Sequence, residues 1–298
     1  MFVENGPYIV RPDLSVGLKP SSWITHMSLL YIDNPVGSGF SFTEDSKGYA
    51  RNEKKIAEDL FMALRQFFVL FPEYQNNDLY LGGQSYAGKY VPALAYRIHT
   101  DTDAHWMNLK GMVIGNGYTD PVHMLNYADF LYQVGLVDEQ QAAKIRMLQK
   151  RVKRLIQEKR WVDAYMIVDH LLVGAYAHSG TLLYNMTGRT HYYNILKSDH
   201  PVDMLYYRLY LDHRLVRAAL HVGNRTISDG VEARYYLMED MMQSVSVWVG
   251  EICNYYKVLF YTGQLDIIVN YPLVENFLRH LKWKHSDAWK NTKRMVWK

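Results

Sequence analysis

Asp78-Leu79-Tyr80-Leu81-Gly82-Gly83-Gln84-Ser85-Tyr86-Ala87-Gly88 is the stretch that decides the fold. Its first half, Asp78 to Gly83, is a short apolar run of strand type. It delivers the chain into Gln84-Ser85-Tyr86, and a helix is predicted from about Lys89 to His99. Proline is tolerated near the first turn of a helix, so Pro92 places the helix start just after Ser85. A strand-to-helix turn this sharp strains the backbone at its apex and exposes the side chain there. Such a turn needs small residues two before and two after the apex, and Gly83 and Ala87 meet that need. The helix start behind Ser85 favours negative charge on its Oγ and on a nearby oxyanion, and the N–H of Tyr86 is the natural oxyanion donor. The competing reading is a serine in an ordinary strand–helix loop. The flanking strand and helix favour the nucleophile.

Working outward, Ser28 to Asp33 reads as a strand running into Asn34-Pro35-Val36-Gly37. Asn52 to Phe68 reads as an amphipathic helix, with apolar residues at 56, 60, 63, 64, 67 and 68 and Pro72 soon after its end. Leu109 to Ile114 is a further strand, ending in Gly115-Asn116-Gly117. From Val137 to Leu172 the pattern is nearly all helical, and Asp138 with Gln141 forms a capping box. Lys257 to Tyr261 is strand-like again, and Asn276 to Trp283 reads as helix. Strand–helix units thus flank a mainly helical insert. The expected class is α/β: a mostly parallel central sheet with helices on its faces, interrupted by a helical cap. The expected division is a core over 1–121 and 246–298 with the cap over 122–245.

The 298 residues are 49% hydrophobic and 21% charged, an ordinary globular balance with room for a large core. The net charge of +3, with both signs interspersed, argues against a nucleic-acid binder. No run of 18 apolar residues is present, so no membrane span is expected, and the first residues lack the features of a secretion signal. Cys253 is the only cysteine and cannot form an internal disulfide. Two sequons, at Asn185 and Asn224, mark candidate glycosylation sites. No Cys/His cluster has metal-ligand spacing and no glycine loop has phosphate-binding context, so neither a metal nor another cofactor is expected. The basic run from Lys150 to Arg160 reads as the solvated face of a helix, with Val152, Leu155 and Ile156 turned inward. Asp33 and Asp120 read as residues that fix turns.

A serine of normal acidity is a poor nucleophile and needs a base oriented by an acid. In folds with this turn the acid follows a later strand and the histidine comes last. Asp266, in Tyr261-Thr262-Gly263-Gln264-Leu265-Asp266, fits the acid, although aspartate at such a place also serves as a helix N-cap. His280 sits inside a helix pattern and His285 in a polar, lysine-rich stretch; both read as surface histidines, and neither follows a strand on a loop that could reach Ser85.

These segments resemble the serine carboxypeptidase family, in particular its vitellogenic carboxypeptidase-like branch. The resemblance is carried by Val3-Glu4-Asn5-Gly6-Pro7-Tyr8, Tyr31 to Phe42, Gly83 to Pro92, Gly115 to Pro121, Ala219-Leu220-His221-Val222-Gly223-Asn224 and Tyr261 to Asp266, in that order along the whole chain. It implies an α/β-hydrolase fold and release of C-terminal residues from peptides through an acyl-enzyme on Ser85, with no cofactor. It implies Asp266 as triad acid, Tyr86 as one oxyanion donor, and Glu4 as the glutamate beside the substrate carboxylate. Gln84 stands where the family typically has a glutamate, so it would donate from its amide at any pH. Peptide or protein C-termini are the implied partners, a lysosomal or secreted glycoprotein the implied setting, and a homodimer is compatible with it. Arg189 stands where a cap cysteine would be expected. The Asn-Gly-Gly-Pro-Gly segment expected before Met1 and the histidine loop expected beyond Lys298 are not in the sequence, so the fold is expected to be incomplete at both termini and the chain to lack a competent triad. The alternatives are a non-catalytic protein of this family and an esterase on the same core.

Overall fold

A computed structural model of the chain describes residues 1–104, 106–177, 179–202 and 205–296. The chain divides into two compact units, one made of Met1–Ala50 with Asp199–Tyr236 and the other of Arg51–Ser198 with Leu237–Lys298. In chain order the first unit begins with β1 (Tyr8–Val10), β2 (Val16–Leu18) and β3 (Ser38–Gly39). The second opens with α1 (Glu53–Leu70), β4 (Leu79–Gln84), α2 (Ala87–Thr100) and β5 (Leu109–Gly115). It continues through α3 (Tyr127–Gln133), α4 (Glu139–Gln157), α5 (Trp161–Val168) and α6 (Leu182–Thr187). The first unit resumes with α7 (Tyr206–Asp212), α8 (Arg214–Ala219), β6 (Ser228–Asp229) and α9 (Val231–Tyr236). The second closes with α10 (Ser246–Tyr255), β7 (Lys257–Tyr261), α11 (Tyr271–His280) and α12 (Ser286–Asn291).

The second unit is built on a parallel sheet of order β4-β5-β7, with Leu81 opposite Met112 and Val113 opposite Leu259. β5 lies in the middle, and Met112 and Ile114 on it are fully buried, as a central parallel strand requires. α1 forms where Asn52 caps Lys55 N–H and Ile56, Leu60, Leu64 and Phe68 share one buried stripe. The expected capping box of Asp138 and Gln141 starts α4, and Val152, Leu155 and Ile156 bury against α5 while the basic residues face water. β7 spans the expected strand residue for residue. Among the described residues no helix is long and apolar enough to cross a membrane.

Three expectations differ from what forms. Ser28 to Asp33 is not a strand: Leu30, Tyr31 and Ile32 are exposed. A short apolar run can suggest a strand, but only ladder partners make one. The helix expected over Asn276 to Trp283 runs instead from Tyr271 to His280, because Asn270 caps Leu273 N–H and Pro272 suits the first turn. Pro92 lies inside α2 rather than in its first turn. The helix tolerates it because the Gly88 carbonyl, which a residue at 92 would normally satisfy, accepts from the Thr119 hydroxyl at 3.0 Å.

In the first unit β1 pairs with β2 and β3 with β6, both antiparallel. Asp33 does fix a turn there: its Oδ2 accepts from Phe40 N–H at 2.8 Å and its carbonyl from the Ser41 hydroxyl at 2.6 Å.

Candidate active site

Ser85 sits at the apex between β4 and α2, exposed, with a left-handed φ of 57°. A non-glycine residue pays strain for that conformation, so the surroundings must hold it. They do so through the backbone: Ser85 N–H donates to the Gly115 carbonyl at 3.1 Å, and the Ser85 carbonyl accepts from Tyr118 N–H at 2.9 Å and from Gly88 N–H at 2.9 Å. The end of β5 therefore clamps the turn. Two glycines permit the close approach. A Cβ on Gly83 would lie 2.4 Å from that of Ala87, and one on Gly88 would lie 2.7 Å from the Tyr118 nitrogen. The N–H of Tyr86 has no acceptor among the described residues.

Asp266 is buried just after β7 and does not cap a helix; that role at α11 belongs to Asn270. Its Oδ2 accepts from Asn116 Nδ2 at 2.8 Å and from Val269 N–H at 3.3 Å, and its Oδ1 from Ile268 N–H at 3.2 Å. The Tyr192 carbonyl also accepts from Ile267 and Ile268 N–H, which pins this loop. Burial raises the Asp266 pKa from 3.8 to about 6, against the lowering effect of the Asn116 and backbone donors. The folded state therefore holds the Asp266 proton more tightly than the unfolded chain. Its contribution is full below about pH 4 and is lost as pH rises through about 6. Asp266→Asn is expected to flatten that slope, removing up to about 3 kcal/mol of pH dependence between pH 4 and 7. Unfolding in denaturant at each pH checks it.

Asn116 is the site residue that sequence reasoning missed. It follows β5 with a positive φ of 39°. Its amide spans the site, donating to Asp266 and to the Val269 carbonyl at 3.1 Å while accepting from Gly263 N–H at 3.0 Å. It is next to Gly115, which clamps Ser85, and it donates from its own N–H to the Tyr261 carbonyl. The available signal was an asparagine between two glycines at the end of a central strand, a place where αL backbone is needed and sites form.

Among the described residues no histidine hydrogen-bonds Asp266. His280 ends α11, with Nδ1 2.7 Å from the Asn276 carbonyl and its ring stacked on His123 at 4.2 Å. His285 precedes α12. His123 contacts Asp120 Oδ2 at 2.6 Å, which makes Asp120 a local partner in a short turn. Gln84 is exposed beside Ser85 at the end of β4. In the first unit Glu4 is exposed with a left-handed φ of 56°, and its carbonyl accepts from Lys19 Nζ at 3.1 Å. Asn185 on α6 and Asn224 after α8 are both exposed. Cys253 is a free thiol, its pKa pushed up to about 11 by burial.

The family model described as serine carboxypeptidase matches residues 1–296. The chain belongs to the serine carboxypeptidase family. This family member is 48% identical to a probable serine carboxypeptidase CPVL of Rattus norvegicus, covering all of this chain and 63% of that protein. It is 45% identical to a venom serine carboxypeptidase of Apis mellifera and 36% identical to a vitellogenic carboxypeptidase of Aedes aegypti, covering all of this chain and 64% of each. It thus spans a little under two thirds of the length of these relatives. A solved structure of Kex1(Δ)p, a prohormone-processing carboxypeptidase of Saccharomyces cerevisiae, superposes with a TM-score of 0.76 at 22% identity, covering 95% of this carboxypeptidase-family chain and 65% of its own. That likeness shows the α/β-hydrolase fold.

Proposed function

We propose that this family member supplies the nucleophile of a serine carboxypeptidase, releasing C-terminal residues from peptides through an acyl-enzyme on Ser85. The observation that carries the proposal is the strained, exposed Ser85 turn, clamped by the same β5 end whose Asn116 holds Asp266. In the proposed reaction the Ser85 hydroxyl would attack the terminal peptide carbonyl, given a histidine between it and Asp266, which the described residues do not supply, to take its proton and return it to the leaving amine. Asp266 orients that histidine, and Tyr86 N–H receives the oxyanion. Glu4 keeps the carboxylate-binding role that the resemblance implies, and core and cap follow the division at 121 and 246. Secreted or lysosomal placement is part of the same reading, supported by the exposed sequons at Asn185 and Asn224.

Hydrolysis of a blocked dipeptide with a free C-terminal carboxylate, compared with its C-terminal amide and with a neutral ester, tests the substrate class. The expected result is release from the free carboxylate only. Preference for the neutral ester would make the protein an esterase. The lack of a histidine on Asp266 among the described residues favours a second reading, in which this 298-residue chain binds peptide without hydrolysing it. Saturable binding of the dipeptide with no turnover supports it.

Gln84 is proposed to donate from its amide to the substrate carboxylate. An amide carries no charge at any pH, whereas a carboxylate there would repel the substrate once ionised. Gln84→Glu is expected to raise KM by roughly tenfold between acid and neutral pH, equivalent to about 1.4 kcal/mol of repulsion, while wild type stays level. Parallel KM–pH curves would refute this role.

A further inference from the structure

Behind the Ser85 turn lies a buried polar cluster that the proposed chemistry does not use. Lys89, in the first turn of α2, is fully buried. Its ammonium donates to Asp240 Oδ2 at 2.7 Å, to the Asp240 carbonyl, and to the Tyr86 hydroxyl at 3.4 Å. The Tyr86 hydroxyl also reaches that Asp240 oxygen, at 3.5 Å. Glu53, the first residue of α1, is 2% exposed, and its carboxyl faces Asp240 and the Tyr86 hydroxyl within the reach of a hydrogen bond. The charged and titratable groups that face it are Lys89 and Tyr86 from α2 and its start, and Asp240 from the turn before α10. Tyr86 is faced in addition by Tyr90 and Tyr118.

Two carboxyl groups therefore meet one ammonium away from water. Ionised, both carboxyls would leave an uncompensated buried charge, which is costly. An ionised Asp240 can only accept, so it offers an ionised Glu53 nothing. A proton on Glu53 resolves both difficulties, because it makes the set neutral and supplies a donor toward Asp240. We propose that Glu53, Lys89 and Asp240 form a positioning unit that fixes the Tyr86 side chain by its hydroxyl, and with it the aim of the Tyr86 N–H on the clamped Ser85 turn, while Glu53 keeps its proton. The proposal rests on the reading of Ser85 as nucleophile and Tyr86 N–H as oxyanion donor. Burial independently pushes the Glu53 pKa well above the usual carboxylate range, with Asp240 adding to the rise and Lys89 opposing it. Loss of the proton makes Glu53 a competing acceptor for the Lys89 ammonium and the Tyr86 hydroxyl, drawing both away from Asp240.

The test compares wild type with Glu53→Gln and Asp240→Asn, measuring two quantities from pH 5 to 9: the rate at which a fluorophosphonate modifies Ser85, and the Tm. In wild type the rate is expected to fall roughly tenfold per pH unit above the Glu53 pKa. In Glu53→Gln that alkaline limb is absent, and in Asp240→Asn it moves to lower pH, because the Asp240 charge no longer helps to hold the Glu53 proton while burial still does. The Tm of wild type falls relative to Glu53→Gln as pH rises from the ordinary carboxylate range through the raised Glu53 pKa, since the unfolded chain releases the proton first. A Glu53→Gln variant with the wild-type limb and the wild-type Tm slope overturns the proposal. If Glu53→Gln does not fold, Asp240→Asn decides by the position of the limb, and an unmoved limb overturns the proposal. If wild type takes no label at any pH, the nucleophile reading fails on its own, and parallel Tm curves of wild type and Glu53→Gln would still overturn the Glu53 proton.

Discussion

With a histidine on Asp266, peptide hydrolysis by Ser85→Ala is expected to fall about ten-thousand- to a million-fold in kcat, with KM nearly unchanged. The methyl group of alanine fits the apex, because the turn is held by backbone bonds to Gly115, Tyr118 and Gly88 rather than by the hydroxyl. The substitution therefore removes the attacking atom and leaves the clamp. Under the proposed roles of Gln84 and the Tyr86 N–H substrate binding persists, so the residual rate reports what positioning alone supplies. A small loss in kcat with an intact Tm would mean that Ser85 is not the nucleophile.

Lys89→Met is expected to be the most damaging single change to stability, costing about 3–5 kcal/mol at neutral pH. Methionine has a similar length and fills the same space, so little of the cost is a cavity. The cost is electrostatic: Asp240 keeps a buried charge with its 2.7 Å partner gone. The double change Lys89→Met with Asp240→Leu is expected to recover most of the stability, since an apolar replacement of a whole buried pair is often neutral. Denaturant unfolding of the two variants at neutral pH checks both statements. No recovery in the double variant would show a packing effect instead.

The parts of this molecule written in local sequence were legible before any coordinates. The Asp138–Gln141 capping box, the stripe of α1 and the span of β7 depend on neighbours within a turn or a strand. The Ser85 turn was legible for the same reason, since Gly83, Ala87 and Gly88 act on it directly. What failed depends on partners distant in the chain. Ser28 to Asp33 has the pattern of a strand without its ladder. Pro92 is tolerated inside α2 because of a hydroxyl at position 119. Lys89 joins residues 53 and 240, and no spacing rule links three positions so far apart. Asn116 was visible as part of a matched segment, but its bond to Asp266 needed β5 and β7 side by side.

Mass-spectrometric mapping of one residue after treatment with a fluorophosphonate addresses the central claim most directly. The account predicts a single phosphonyl adduct on Ser85, lost in Ser85→Ala and slowed in Asp266→Asn. An unmodified Ser85, or an adduct on another residue, would contradict it.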